Sequence, residues 1–242
     1  GVNQPETYLR YFNGTFYCPK YHQLTLSGAS DRLNKIKSPW IIKPSVESGN
    51  GRDIHEGNSQ NETLIIDGVE TSLSELSNFY RTGFIIQEKI TSQTRTLAQF
   101  HSGSLNTFRV ITLRLNNKLY SINTRIKFGT NNRIVDNEKG VWCGVDNNGL
   151  IHSNGINGTF RKFDAHPDTG IKFRGTKISE FKNVLDFAKR LHERIVSADL
   201  VSWDIGYSAQ NEPIFIECNV RFQGITTSQV VNGPLFGDLT DD

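Results

Sequence analysis

Methionine is absent from this chain of 242 residues, cysteine occurs three times and proline seven. The chain does not open on Met either, which is consistent with a fragment, or with a sequence from which modified methionines are left out and whose spacings run short by a residue. Cys18, Cys143 and Cys218 are far apart and odd in number. That excludes a disulfide framework and thiolate zinc sites of the CxxC kind, and reduced, mostly buried thiols are expected. An excess of charge is missing as well. With 27 basic and 25 acidic residues the formal charge is +2, too little for a polyanion field, so nucleic acid is not the expected partner and any basic site is local. No apolar run approaches the roughly 18 to 20 residues that cross a bilayer, and GVNQPETYLR has no signal-peptide core. A soluble, cytoplasmic protein without a membrane span is the expectation. Internal repeats, low-complexity tracts and an obvious linker are also lacking, so two lobes, if present, interleave. Sequons begin at Asn13, Asn61 and Asn157, and chance accounts for them in an Asn-rich chain.

What is present reads as alternating strands and a few helices. SGASDRLNKIK suggests a short helix capped by Ser30 or Asp31. PWIIKPSV then reads as a strand, ESGNGRDI as a flexible loop too rich in Gly and Asn for helix or core strand, and TLIIDG as the return strand. SLSELSNFYRT fits an amphipathic helix on Leu73, Leu76 and either Phe79 or Tyr80, and GFIIQEKI a buried strand. TFRVITLRL and KLYSINTRIKF form a hairpin about Asn116-Asn117. Alternation puts Arg109, Ile111 and Leu113 on one face and Phe108, Val110 and Thr112 on the other. GVWCGVDNNGLIHS suggests a second hairpin, turning at Asn148-Gly149, and residues 179–197 carry the clearest helical period.

The last hairpin, WDIGYSAQNEPIFIECN, carries Asp204 on one strand and Glu217 and Asn219 on the next. These are hard oxygen donors of the type Mg²⁺ or Mn²⁺ prefers. Period two puts Glu217 and Asn219 on one face, and Asp204 joins them if the strands pair; in isolation, a metal site and ordinary polar strand ends are about equally good readings. Lys43 ends WIIK just before a loop whose amides at Ser48, Gly49 and Gly51 could approach a phosphate. The loop is not a Walker A motif, and alone it reads as a surface lysine beside a hairpin loop. Arg109 and Arg125 lie on neighbouring β runs and can offer guanidinium forks to phosphate or carboxylate, although each alone is more often a surface charge.

The order of these pieces resembles the ATP-grasp superfamily from about Trp40 to Gln229. SLNTFRVIT, HPDTG, WDIGY, IECN and NGPLFG look like its sugar-transfer-associated branch, related to the α-L-glutamate ligase group. The resemblance implies an α+β fold whose two lobes clamp ATP, with the N-terminal lobe truncated or missing. Residues 1–39 would be its remnant, 40–92 the small lobe and 93–242 the large lobe with the metal site. Lys43 would bind the α/β phosphates, the loop from Ser45 to Asp53 would close over the triphosphate, and Gln87, Glu88, Lys89 and Ile90 would form the adenine strand. Asp204, Glu217 and Asn219 would hold Mg²⁺ (or Mn²⁺), and Arg109 and Arg125 would be catalytic. Lys20, Lys35 or Lys37 would replace a phosphate-contacting lysine of the missing lobe. His166 and Asp168 of HPDTG are candidates for the acceptor pocket, with a plain turn as the favoured reading. The implied reaction is an ATP- and Mg-dependent carboxylate-amine ligation through an acyl phosphate, on small-molecule substrates, sugar-linked ones among the candidates. A phosphotransferase, or a non-catalytic nucleotide- or glycan-binding module, is the alternative.

Overall fold

A strand with one apolar face needs a partner layer, and a strand with unpaired edges needs neighbours. Both needs are met twice in this chain. The computed structural model describes residues 1–45, 53–60, 63–131, 140–179, 181–221 and 223–239. It divides the chain into two units, Pro5–Ile90, and Gly1–Gln4 together with Thr91–Asp242.

The smaller unit contains β1 (Thr7–Phe12), β2 (Thr15–Tyr17), β3 (Gln23–Leu24), α1 (Leu26–Asn34), β4 (Trp40–Pro44), β5 (His55–Gln60), β6 (Thr63–Ile66), β7 (Val69–Thr71), α2 (Leu73–Tyr80) and β8 (Gly83–Glu88). The eight strands form one antiparallel sheet in the order β3-β2-β1-β8-β4-β5-β6-β7. The segment 1–39, expected as a separate remnant, thus supplies three strands of the Lys43 sheet. The reason is physical: β8 is apolar and central, and β1 pairs the edge that β4 leaves open. Trp40 and Ile42 are fully buried, so Ile41 and Lys43 take the opposite face. Gly57 lies opposite Trp40, and a Cβ there would stand 2.1 Å from the indole.

Helix starts follow local hydrogen bonding. α1 is capped by Thr25, whose Oγ1 accepts from the Gly28 amide at 3.1 Å, in place of the expected Ser30 or Asp31. α2 has a capping box: Ser72 Oγ accepts from the Glu75 amide (3.2 Å) and the Glu75 carboxylate accepts from the Ser72 amide (2.8 Å). Tyr80, not the exposed Phe79, completes its buried stripe.

The larger unit contains α3 (Arg95–Ala98), β9 (Thr107–Leu115), β10 (Lys118–Phe128), β11 (Val141–Gly144), β12 (Gly155–Ile156), β13 (Lys162–Phe163), α4 (Lys182–His192), β14 (Leu200–Tyr207), β15 (Pro213–Asn219) and α5 (Ile225–Asn232). Its sheet is antiparallel in the order β13-β12-β11-β10-β9-β14-β15. Asn116 and Asn117 both adopt positive φ, the twist-matched form of a two-residue hairpin turn. Phe108, Val110, Ile126, Phe128, Trp203 and Ile205 form one core with Val184, Leu185, Ala188 and Leu191 of α4. The residues between them on β9, β10 and β14 face the other way. The helix is shorter at both ends than the expected 179–197, and at its C-terminus Arg114 donates to the carbonyls of His192 and Ile195, both at 2.9 Å. Of the cysteines only Cys143 is fully buried; Cys18 is half-buried and Cys218 exposed.

Beneath α4 lies a buried polar chain. Trp203 Nε1–H donates to Thr112 Oγ1 (2.7 Å), which lies 2.7 Å from His192 Nδ1, and His192 Nε2 lies 2.9 Å from the Ala198 carbonyl. Thr112 Oγ1 also lies 3.3 Å from the Val201 carbonyl, so its hydroxyl can donate there or to Nδ1, and burial favours the neutral imidazole with Nε2 protonated toward Ala198. Burial lowers the pKa of His192, opposed by its bond to Ala198, with Arg114 lowering it further and Asp199 raising it. The unfolded chain therefore binds this proton at a pH where the folded chain does not. Stability conferred by the neutral ring is fully present above the ordinary histidine pKa of about 6.5 and is lost as pH falls below it. Denaturant unfolding followed from pH 7.5 to 5.5 should show falling stability, with a shallower slope in His192→Gln; equal slopes would contradict this assignment.

Candidate active site

The face of the larger sheet opposite α4 gathers the charged residues. Strand pairing sets Glu217 opposite Asp204, Asp204 opposite Arg109, Arg109 opposite Arg125 and Arg125 opposite Gly144, a single row across β15, β14, β9, β10 and β11. Asn219 stands opposite Ser202, two residues along the same face. Asp204, Glu217 and Asn219 therefore share a face, and Asn219 Nδ2 donates to Glu217 Oε1 at 3.4 Å. A register shift helps: Asp204 pairs with Glu217 but Ile205 pairs with Phe215, leaving Ile216 as the extra residue of a bulge. Bulges re-aim side chains in this way and are common beside active sites.

Arg109 holds Asp204 in a fork, Nε to Oδ1 at 2.6 Å and Nη2 to Oδ2 at 2.5 Å, and approaches Glu217 Oε1 at 3.9 Å. Burial pushes the Asp204 pKa up, but the charge and hydrogen bonds of Arg109, with smaller contributions from Glu217 and Arg125, hold it below the usual carboxylate range. Arg125 is 95% out of solvent contact, at 5% relative exposure, and donates through Nη1 to Ser228 Oγ on α5. Its Nε is buried without a hydrogen-bond partner among the described residues. Burial, and then the charge of Arg109, pull its pKa down to about 9, which leaves it charged at neutral pH. An unpartnered buried donor on a cation costs about 1–3 kcal/mol, a cost that an anion seated there would remove.

Sequence reading missed α5 and the residues that fix Arg125. Gly224 caps α5 in the left-handed conformation (φ +69), and a Cβ there would lie 2.8 Å from Arg125 Nη2 and 3.6 Å from Arg109 Nη1. The local signal was a glycine followed by ITTS, a plausible helix start. The link from Ser228 to Arg125 spans 103 residues and has no local signature.

The sites expected in the smaller unit are described within it alone. Lys43 lies opposite Ile85, and Ile41 opposite Gln87, so Lys43 and Gln87 share a sheet face. Gln87 donates to Thr7 Oγ1 (3.3 Å), Glu88 accepts from the Glu6 amide (3.2 Å), and Lys89 pairs with Glu56 (2.7 Å). Ile90 is the last residue of the unit. Ser48, Gly49 and Gly51 lie outside the described residues. Among the phosphate-contact candidates, Lys35 is the C-cap of α1 and Lys37 donates to the Asn34 carbonyl (3.4 Å), while Lys20 lies in an exposed turn. HPDTG is a bracing turn of the larger unit. His166, 1% exposed, bonds the Gly129 carbonyl through Nε2 (2.8 Å), and Asp168 accepts from the Asn131 amide (2.7 Å).

The fold of two antiparallel sheets is similar to that of solved ligase and synthetase structures. An ADP complex of purK, an N5-carboxyaminoimidazole ribonucleotide synthetase, superposes with TM-score 0.50 at 10% identity, over 91% of this chain and 41% of that one. The VanG D-Ala:D-Ser ligase from Enterococcus faecalis gives 0.51 at 11% identity, over 99% and 53%. The likeness defines an α+β ATP-grasp fold, and the chain spans about half of those structures or less. No curated protein matches the chain. The chain belongs to the sugar-transfer associated ATP-grasp family, whose model matches residues 2–240.

The family implies a divalent metal, and the donor set can be tested against it. Among the described residues no group of three or more His, Cys, Asp or Glu side chains stands ready to hold an ion. Two carboxylates and an amide do share a face, and Mg²⁺ is commonly held by one or two carboxylates with substrate phosphates completing its shell. The set therefore fits a metal that arrives with a nucleotide.

The Arg109–Asp204 fork makes a direct prediction. Because the folded pKa of Asp204 is depressed, the stability it contributes is present above the unfolded value of about 3.9 and is lost as pH falls through the folded value. In Arg109→Met, burial is opposed only by the weaker contributions, so the Asp204 carboxyl should titrate at higher pH in a carbon-detected NMR titration. An unchanged titration would show that the fork does not set the charge of Asp204.

Proposed function

We propose that the protein is an ATP- and Mg²⁺-dependent ligase joining a carboxylate, such as a sugar acid or polysaccharide precursor, to an amine or amino acid. The observation that carries this reading is the single row in which Asp204 and Glu217, with Asn219 beside them, adjoin Arg109 and Arg125. Asp204, Glu217 and Asn219 would hold Mg²⁺ or Mn²⁺, which when bound offsets the negative charge of the ATP phosphates. Lys43, with the loop bearing Ser48, Gly49 and Gly51, would bind phosphates, and the segment of Gln87, Glu88, Lys89 and Ile90 would receive the adenine.

The chemistry asks little covalent work of the protein. A carboxylate oxygen attacks the γ-phosphorus, the β–γ phosphoanhydride bond breaks, and ADP leaves. The amine then attacks the acyl carbon, phosphate departs and the amine releases a proton. Arg109 and Arg125 hold the phosphoryl and carboxylate oxygens as charge redistributes. Arg125 is preorganised, since its bond to Ser228 and the room left by Gly224 hold it in place before any ligand arrives.

Incubating the protein with Mg·ATP, uronic acids and amino acids should yield an amide, ADP and phosphate. Arg125→Ala should reduce turnover on the order of 10²–10³-fold, the usual effect of removing a preorganised charge-stabilising donor. Calorimetry should show weaker Mg·ATP binding in Glu217→Ala. Equal affinity in the two proteins would sink the metal assignment, and a stable phosphorylated acceptor in place of the amide would make the protein a phosphotransferase.

A further inference from the structure

Two residues along the sheet from the charged row runs a second row on the same face. Thr107 stands opposite Lys127, Lys127 opposite Trp142, Trp142 opposite Ile156 and Ile156 opposite Lys162, across β9 to β13. Trp142 and Arg125 are diagonal neighbours on adjacent strands, a separation of about 7–8 Å. The chain uses its other tryptophans as core: Trp40 is fully buried and Trp203 is 2% exposed, its indole N–H bonded to Thr112. Trp142 differs from both. It is partly exposed and joins neither hydrophobic cluster among the described residues, and Lys127 Nζ lies 5.9 Å from its ring centroid. Lys162 at the far end of the row is exposed.

A partly exposed indole on a polar sheet face, away from the core and flanked by cations, has the character of a ligand surface. Small-molecule sites combine aromatic walls with a few placed polar groups, and an indole presents a broad apolar face with a negative quadrupole. A pyranose ring offers such a surface a patch of C–H groups carrying slight positive charge. A carboxylate on that ring would be drawn towards the guanidinium of Arg125, whose buried Nε has no partner among the described residues. We propose that Trp142 is the stacking platform for the ring of an acidic sugar whose carboxylate reaches Arg125, with Lys127 and Lys162 bordering the subsite. The proposal rests on the ligase reading for the use made of the bound carboxylate, but the subsite is testable without turnover.

Intrinsic fluorescence gives a selective probe, because two of the three tryptophans are buried. Methyl glycosides of glucuronate and galacturonate would be titrated with and without Mg·ADP, against glutarate as an acyclic carboxylate. Calorimetry would supply affinities for Trp142→Ala and Trp142→Phe. Uronate should change the emission of wild type, bind about tenfold more weakly to Trp142→Ala, and bind to Trp142→Phe nearly as tightly as to wild type, as expected if aromatic contact is what is lost. Glutarate should show no dependence on Trp142. Uronate affinity equal in wild type and Trp142→Ala, no uronate binding under either condition, or glutarate with the same Trp142 dependence would each overturn the platform. Failure of Mg·ATP to bind, alongside Trp142-dependent uronate binding, would sink the ligase reading and leave the platform standing.

Discussion

Two arginines placed directly opposite each other on paired strands repel, and the structure around Arg109 and Arg125 is organised to hold them there. Asp204 neutralises Arg109 through a two-bonded fork, and Glu217 adds a second, more distant carboxylate. Arg125 has no carboxylate of its own in the row; it is fixed by the Ser228 hydroxyl and by the absence of a side chain at Gly224. The result is a positively charged, desolvated position, which the proposed function fills with an anion.

That arrangement depends on register. Phe108, Val110, Ile126, Trp203 and Ile205 point into the core under α4, so Arg109, Arg125 and Asp204, interleaved with them, are forced to the opposite face. A slip of one residue on any of the three strands would bury a charge and expose an aromatic or aliphatic side chain. The hydrophobic core and the charged row are thus two consequences of one pattern. The bulge at Ile216 adjusts the last strand so that Glu217 and Asn219 remain beside Asp204.

Much of this was legible because it is local. Period two placed Glu217 with Asn219, the Asn116-Asn117 hairpin tied Arg109's strand to Arg125's, and the order of short motifs identified the ATP-grasp fold. What escaped reading was non-local. Pairing of β9 with β14, which delivers Asp204 to Arg109, joins residues 95 apart in sequence, and nothing in either segment names the other. The contribution of β1–β3 to the Lys43 sheet is a matter of edge pairing, not of composition. α5 was missed because its eight residues carry only two buried side chains, too weak a period to read. Trp142 was visible as a residue but not as a surface, since the rest of GVWCG is buried.

The central claim is that Asp204, Glu217 and Asn219 form a metal-binding face that works with Arg109 and Arg125. The most direct measurement is anomalous diffraction from crystals of the protein grown with Mn²⁺ and ADP. The account predicts a manganese peak bridging nucleotide phosphate oxygens to the carboxylates of Asp204 and Glu217 and the amide oxygen of Asn219, with Arg109 no longer gripping both oxygens of Asp204. Manganese coordinated by other side chains, with the Arg109–Asp204 fork intact, would contradict it.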